Sequence, residues 1–307
     1  DTGARHQGKN GYCTHMGNES FSWFESTGKK SRINFLRLLR AGHSDFVINI
    51  DAAGYMQSNK LPQKPLQTFI ENLGMIFAND YQWNHFLEQN GIVKDRHIQI
   101  ATEGALIGSI VEHGISKHLV IVSDDAGQFN VLLHALCWIH ANRAIDKIIP
   151  FTGQAKKHLD MVKDQIWQLY QGLKAYKDTP KTRDKKRLSD LFDKIFTQTT
   201  CCTTLNLALK RIYNNKSELL LVLERPDIPL HNNGAENAIR EYVKRRKISG
   251  STRSDLGREC RDAFTSLKKT CRKLGISFWQ YLKDRIEDIG QIPPLADLIR
   301  QQALKPD

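Results

Sequence analysis

Long hydrophobic runs are missing from this sequence. No uninterrupted apolar stretch approaches the roughly 18 residues that a membrane-spanning helix requires, and no signal-peptide pattern opens the chain. Membrane insertion is therefore not expected. Cysteine is scarce and unpatterned: the six, at positions 13, 137, 201, 202, 260 and 271, form no CxxC pair and no regular spacing. That excludes a disulfide scaffold, and free thiols in a reducing cytoplasm are expected. Internal repeats and low-complexity tracts are lacking too. Acidic residues are outnumbered, 33 Asp and Glu against 45 Lys and Arg, which leaves a formal charge of +12 and favours a polyanionic partner such as nucleic acid. What is present, 307 residues with 40% hydrophobic content, suits one large soluble domain or two smaller ones. The first residue is Asp1 rather than Met, so a fragment whose own N-terminus lies upstream is expected.

Glycines at 8, 11 and 17 cut the first 25 residues into short runs, as strands joined by tight turns are cut. Ile33, Leu36 and Leu39 have helical spacing behind Ser31, a candidate N-cap. Residues 45–50 read as a buried strand, and 64–90 and 98–114 as helical. The clearest strand is 118–123 (HLVIVS), which ends abruptly in Asp124-Asp125; a helix is expected from about Phe129 to Ile149, stopped by Pro150. Residues 151–225 are rich in Lys, Asp and Gln, with helical periodicity, and the charged stretch Lys181–Arg187 is expected to link two helices. Pro226 and Pro229 close that region; Asn232 and Asn233 then offer N-caps for a helix to about Lys247. Further on, Cys260, Phe264, Leu267, Cys271 and Leu274 form one apolar face of a helix capped by Gly275.

Acids at three places in the chain could do chemistry. Asp124 and Asp125 stand where a buried strand emerges, a place where α/β folds hold functional groups rigidly, although a single Asp there is usually a turn or cap residue. Glu236 lies on the border of the stripe Ile239, Tyr242 and Val243. An anion there needs compensation by a cation, a metal ion or the helix N-terminus. Asp1 precedes the first hairpin. Two like charges about 4 Å apart repel by roughly 4 kcal/mol at an effective dielectric near 20, so clustered carboxylates persist by protonation or by holding divalent cations. His134, Cys137 and His140 have HxxCxxH spacing that tempts towards zinc, but no fourth ligand is evident. The basic run Lys244-Arg245-Arg246-Lys247, with Arg240 and Arg253, follows Glu236 directly. It is a phosphate-contacting candidate, or else a solvated helix end.

The segment from Pro229 to Arg240 (PLHNNGAENAIR) resembles the signature of bacterial DDE transposases of the insertion-sequence 66 family. The likeness continues through Arg246-Lys247, Gly250-Ser251, Gly257, Ser266-Leu267, Gly275 and Tyr281-Leu282. Upstream, Asp124-Asp125-Ala-Gly-Gln-Phe, then Cys137-Trp-Ile-His140 and Arg143, are similar to its second aspartate and its Cys-Trp-x-His block; Asp1-Thr-Gly is similar to its first strand. Two positions depart. The family has an acidic pair before Thr-Gly where this chain has Asp1 alone, so the first ligand is Asp1 or a residue just upstream. His231 stands where the family commonly has Asp.

The resemblance implies an α/β fold, a ribonuclease-H-like mixed sheet flanked by helices, with an all-helical insertion before the last catalytic helix. The expected organisation is a core over 1–150, an insertion over 151–228, and closing helices with a basic C-terminal region over 229–307. It implies Asp1, Asp124 and Glu236 as catalytic metal ligands for Mg²⁺ (or Mn²⁺), with Asp125, Cys137, His140, Asn232 and Asn233 in support. The implied partner is DNA, both element ends and target, bound by a homo-oligomer on paired ends in the bacterial cytoplasm, associated with the nucleoid. No membrane and no small-molecule substrate are expected. A nuclease that hydrolyses without joining, and an inactive DNA-binding remnant, remain alternatives.

Overall fold

A pair of residues in left-handed backbone, Gln7 (φ 49°) and Gly8 (φ 75°), turns β1 (Thr2–His6) back into β2 (Lys9–Gly17) as an antiparallel hairpin. β3 (Ser22–Thr27) adds antiparallel to β2. The structure, a computed structural model, describes residues 1–304; residues 305–307, the end of the expected C-terminal region, lie outside the described residues. After the strands come α1 (Arg32–Leu39), β4 (Phe46–Val47), α2 (Ile50–Ser58), α3 (Gln63–Glu71), β5 (Ile76–Phe77), α4 (Asp80–Gln89) and α5 (Asp95–Glu112). Ser31 caps α1, its hydroxyl accepting from Asn34 N at 3.2 Å. The strand expected over 45–50 is confined to Phe46–Val47, because Asn49 accepts from Ala52 N at 3.0 Å and starts α2. The helix expected over 64–90 is likewise interrupted: Gly74 (φ 92°) releases the chain into β5, which pairs antiparallel with β4.

Next in the chain are β6 (Val120–Ser123), β7 (Leu133–Leu136), α6 (Trp138–Asp146), α7 (Gly153–Asp178), α8 (Thr182–Phe196), α9 (Thr203–Asn214) and α10 (Lys216–Leu219). Last come α11 (Asn233–Ser249), β8 (Ser251–Thr252), α12 (Asp255–Lys273), α13 (Phe278–Ile286) and α14 (Leu295–Ala303). The chain divides into two compact units, Ile115–Asn232 and the remainder. Among the described residues, no helix is long and apolar enough to cross a membrane.

In the larger unit the sheet is mixed, in the order β3-β2-β1-β8, with β8 parallel to β1 through Arg5 opposite Ser251 and His6 opposite Thr252. Ala4, Cys13 and Phe24 alternate onto one face and pack against Ala238 and Tyr242 of α11. The edge strand β3 is covered in an unexpected way. α12 buries its polar side there: Ser22 N donates to Thr270 Oγ1 (3.1 Å), Phe24 N to Ser266 Oγ (2.9 Å) and Ser26 N to Asp262 Oδ2 (2.8 Å). Four helical residues advance about 6.0 Å and two strand residues about 6.6–6.8 Å, so i+4 acceptors on the helix keep step with alternate amides on the strand. This corrects the apolar face read from the sequence. Cys260 and Phe264 are exposed, while Cys271 packs with Tyr281 and Leu295, and Leu267 and Leu274 lie against the same cluster.

In the other unit β6 and β7 form a parallel pair, Val120 opposite Leu133 to Ser123 opposite Leu136. The helix expected from 129 is therefore corrected: residues 133–136 are strand, and α6 begins only at Trp138. Leu159, Val162, Ile166, Leu169 and Leu173 of α7 pack with Leu188, Phe192 and Ile195 of α8 and Leu205 and Leu209 of α9. The charges at 181–187 are mostly the first turns of α8 rather than a linker. The six cysteines are all unpaired, with Cys13, Cys137 and Cys271 buried.

Candidate functional site

Ser123, the last residue of β6, is buried, and its hydroxyl makes two contacts: Asp124 O at 2.7 Å and His134 Nε2 at 2.8 Å. A carbonyl only accepts, so the single hydroxyl proton goes to Asp124 O and His134 donates from Nε2. Burial pulls the His134 pKa down, which keeps the ring neutral. The backbone of Asp124 is thus tied to the neighbouring strand. The Asp124 carboxylate turns back on itself, Oδ1 accepting from Ala126 N at 3.3 Å, and is half-buried. Asp125 points elsewhere: it is exposed, pairs with Arg211 and takes a 3.5 Å bond from Asn215.

His134, Cys137 and His140 are not gathered for zinc. His134 sits on β7 with Nε2 engaged by Ser123, Cys137 is buried just ahead of α6, and His140 on α6 accepts from Arg143 Nη1 at 2.7 Å. A strand followed by a helix does not keep the three-residue step on one face. Instead Cys137, His140, Arg143, Lys147, Arg211 and Asp125 border a cleft of about 280 Å³ within this unit. Trp138 fixes its wall, donating Nε1 to Leu219 O at 2.9 Å and N to Leu230 O at 3.0 Å.

In the other unit, Asp1 precedes β1 with its side chain 11% exposed, and Lys30 Nζ lies 3.2 Å from its Oδ1. Glu236 is in the first turn of α11, where the helix dipole favours an anion, and Arg240 Nη2 stands 3.6 Å from its Oε2. The buried face of α11 is Ala238 and Tyr242; Ile239 and Val243 are only partly covered. α11 starts at Asn233, directly after Asn232, whose buried Oδ1 has no hydrogen-bond partner.

The basic run separates by role. Arg246 Nη1 donates to Thr2 Oγ1 at 3.1 Å and to Gly3 O, so it binds α11 to β1. Arg245 donates to Thr265 Oγ1 at 3.0 Å and lies 3.6 Å from Glu241. Arg240 is exposed beside Glu236, and Lys244, Lys247 and Arg253 are exposed. Sequence reasoning missed Lys30, Arg211 and the Ser123–His134 tie. Their partners lie far away along the chain or carry no local pattern.

Comparison with known proteins supplies the context for this geometry. The family described as Transposase IS66 family matches residues 108–259, a span that holds Asp124, His140, Glu236 and Arg253. A protein of Sinorhizobium fredii (strain NBRC 101917 / NGR234), with the printed name Uncharacterized protein y4jO, is 41% identical over 306 residues, 99% of this chain and 95% of that protein. No solved structure matches.

Proposed function

Because the chain belongs to the insertion-sequence 66 family of transposases, we propose that it cuts DNA at the ends of an insertion sequence and joins the freed 3′ end to target DNA, with Asp1, Asp124 and Glu236 as a DDE carboxylate set on a ribonuclease-H-like core. The observation that carries this reading is Asp124 at the carboxyl end of β6, its backbone fixed by Ser123 and His134, inside the family match that also contains Glu236. The donors are all carboxylate oxygens, the hard set that Mg²⁺ (or Mn²⁺) takes while keeping several waters. When bound, such ions supply charge neutralisation at the phosphoryl group under attack.

The chain's own residues do the rest. Lys30 and Arg240 offset the Asp1 and Glu236 charges. Arg246 holds the helix that bears Glu236 against the strand that follows Asp1. Lys244, Lys247 and Arg253 offer exposed charge to phosphates, and the paired His140 and Arg143 line the cleft of about 280 Å³. Positioning and electrostatics account for most of the rate in phosphoryl transfer. The working form in this reading is a multimer on paired DNA ends, in the bacterial cytoplasm.

The test uses element-end DNA with Mg²⁺. Asp124→Ala and Glu236→Ala are expected to abolish nicking and strand transfer, with DNA affinity within about twofold of wild type, since neither residue supplies positive charge. Metal-dependent cleavage retained in either variant refutes the assignment. Cleavage by the wild type without joining, in a strand-transfer assay, makes it a nuclease.

A further inference from the structure

We propose that His43, Asp45 and His113 form a binding site for a zinc-class divalent cation, distinct from the carboxylates of the proposed function. All three belong to the larger unit. Their donor atoms lie within 4.8 Å of one another. In tetrahedral zinc sites, donors bound at about 2.0–2.1 Å stand about 3.3 Å apart, so small side-chain rotations bring this set to bonding geometry.

The backbone is shaped to assemble the cluster. After α1 the chain takes two consecutive left-handed residues, Ala41 (φ 57°) and Gly42 (φ 89°), which swing His43 towards the end of α5. There the His43 and His113 rings stack with centroids 3.5 Å apart and planes within 7°. Left-handed backbone at an alanine is unfavourable, so the turn is held by what surrounds it. His113 is the C-cap of α5, at the negative end of the helix dipole, where a cation is favoured. Its Nε2 lies 2.9 Å from Asp45 Oδ1, and Ser109 Oγ donates to the same oxygen at 3.1 Å, the kind of outer bond that orients a ligating carboxylate.

The Arg40 guanidinium beside Asp45 is directed elsewhere. Arg40 donates to the Asp45 main-chain carbonyl and lies 5.1 Å over the Phe46 ring. Two imidazoles and one carboxylate are a borderline donor set, suited to Zn²⁺, Co²⁺ or Ni²⁺ and poorly suited to Mg²⁺ or Ca²⁺, which prefer oxygen alone. Both histidines are exposed and Asp45 is half-buried, so ions enter freely and the fourth position falls to water. The bound ion would join the turn after α1 to the end of α5.

The experiment is titration of the tag-free, chelator-treated protein with Zn²⁺ by calorimetry and with Co²⁺ by visible absorption. One equivalent with the spectrum of tetrahedral nitrogen and oxygen ligation is expected. His43→Ala, His113→Ala and Asp45→Asn should each weaken binding at least tenfold, Ser109→Ala up to about tenfold, and Asp124→Asn should leave it unchanged. The last variant separates this site from the catalytic carboxylates. Circular dichroism checks folding, and a zinc-dependent rise in melting temperature, seen in wild type and lost in His43→Ala, gives a second readout. Equal affinity and an equal spectrum in wild type, His43→Ala and His113→Ala would overturn the proposal. So would a wild type that binds neither ion below millimolar concentration.

Discussion

His15 on β2 is packed against the Phe24 ring, 4.7 Å between centroids, with both ring nitrogens buried and no hydrogen-bond partner. Burial, reinforced by the charge of Lys273, pulls its pKa from 6.5 to about 3. The folded protein therefore keeps this ring neutral where the unfolded chain protonates it. The stabilising contribution is fully present above pH 6.5 and is lost as the pH falls towards 3. From pH 7 to 5 the loss is about 2 kcal/mol. Urea unfolding at pH 7 and pH 5 should show that loss in wild type and a clearly flatter dependence in His15→Leu; identical slopes would mean that the ring is protonated in the fold. Asp262 is the opposite case, a buried polar group whose partners are all supplied. It accepts from Ser26 N and from the Tyr242 hydroxyl at 3.1 Å, and Arg261 lies 4.9 Å over the Tyr242 ring. Asp262→Ala strands the Ser26 amide under α12, while the Tyr242 hydroxyl keeps Ser26 Oγ at 2.9 Å, and is expected to cost about 1–3 kcal/mol at neutral pH, measured by denaturant melts.

At the scale of elements, close approach decides what the glycines do. A Cβ on Gly108 of α5 would meet Val47 O at 2.2 Å and Asn49 Oδ1 at 3.0 Å; one on Gly54 of α2 would meet nothing within 4 Å. Gly108→Ala adds about 3 kcal/mol of steric strain against about 1 gained in helix propensity, a net loss of about 2. Gly54→Ala should gain up to about 1 kcal/mol. Thermal melts of the two variants should move in opposite directions, and a shared direction would contradict the packing of α5 on β4. These packings also explain which elements could be read from the sequence. Ser31 as a cap, the strand expected over 118–123 (Val120–Ser123 in the structure) and the helix after Asn232 are set by residues within one turn or one short run, and the sequence shows them. β7 is not: Leu133-His-Ala-Leu136 has no β-branched residue and becomes a strand only through its pairing with β6. α12 misleads for a related reason, since Asp262, Ser266 and Thr270 look solvent-facing until β3 supplies amides for them. For the candidate site, position alone makes Asp124 a strand-end acid and Glu236 a stripe-border acid, and only the ordered motif set joins them. The Lys30–Asp1 pair and the Arg246 bonds to β1 join residues far apart in the chain, and no local spacing announces them.

For the whole molecule, the net charge of +12 attracts DNA without saying where it binds, and the fold narrows the choice by committing some cations and leaving others exposed. Each phosphate neutralised on a duplex contributes about 0.9 to the slope of log K against log salt. Lys244, Lys247 and Arg253 are exposed, so replacing all three with Ala should lower that slope by about 2–3 and leave the melting temperature nearly unchanged. Arg246 sits in the same basic run, yet its guanidinium is bound to Thr2 and Gly3. Arg246→Ala should therefore reduce stability by about 1–3 kcal/mol, with a slope close to wild type. Fluorescence anisotropy with labelled duplex over a salt series, paired with melts of the same variants, separates the two kinds of cation. A triple variant with an unaltered slope would move the DNA contact away from α11, towards the cleft bordered by Arg143, Lys147 and Arg211. An Arg246 variant that loses slope at full stability would instead make that guanidinium a phosphate ligand, and the bond from α11 to β1 would have to be held by Ala238 and Tyr242 packing on Ala4, Cys13 and Phe24.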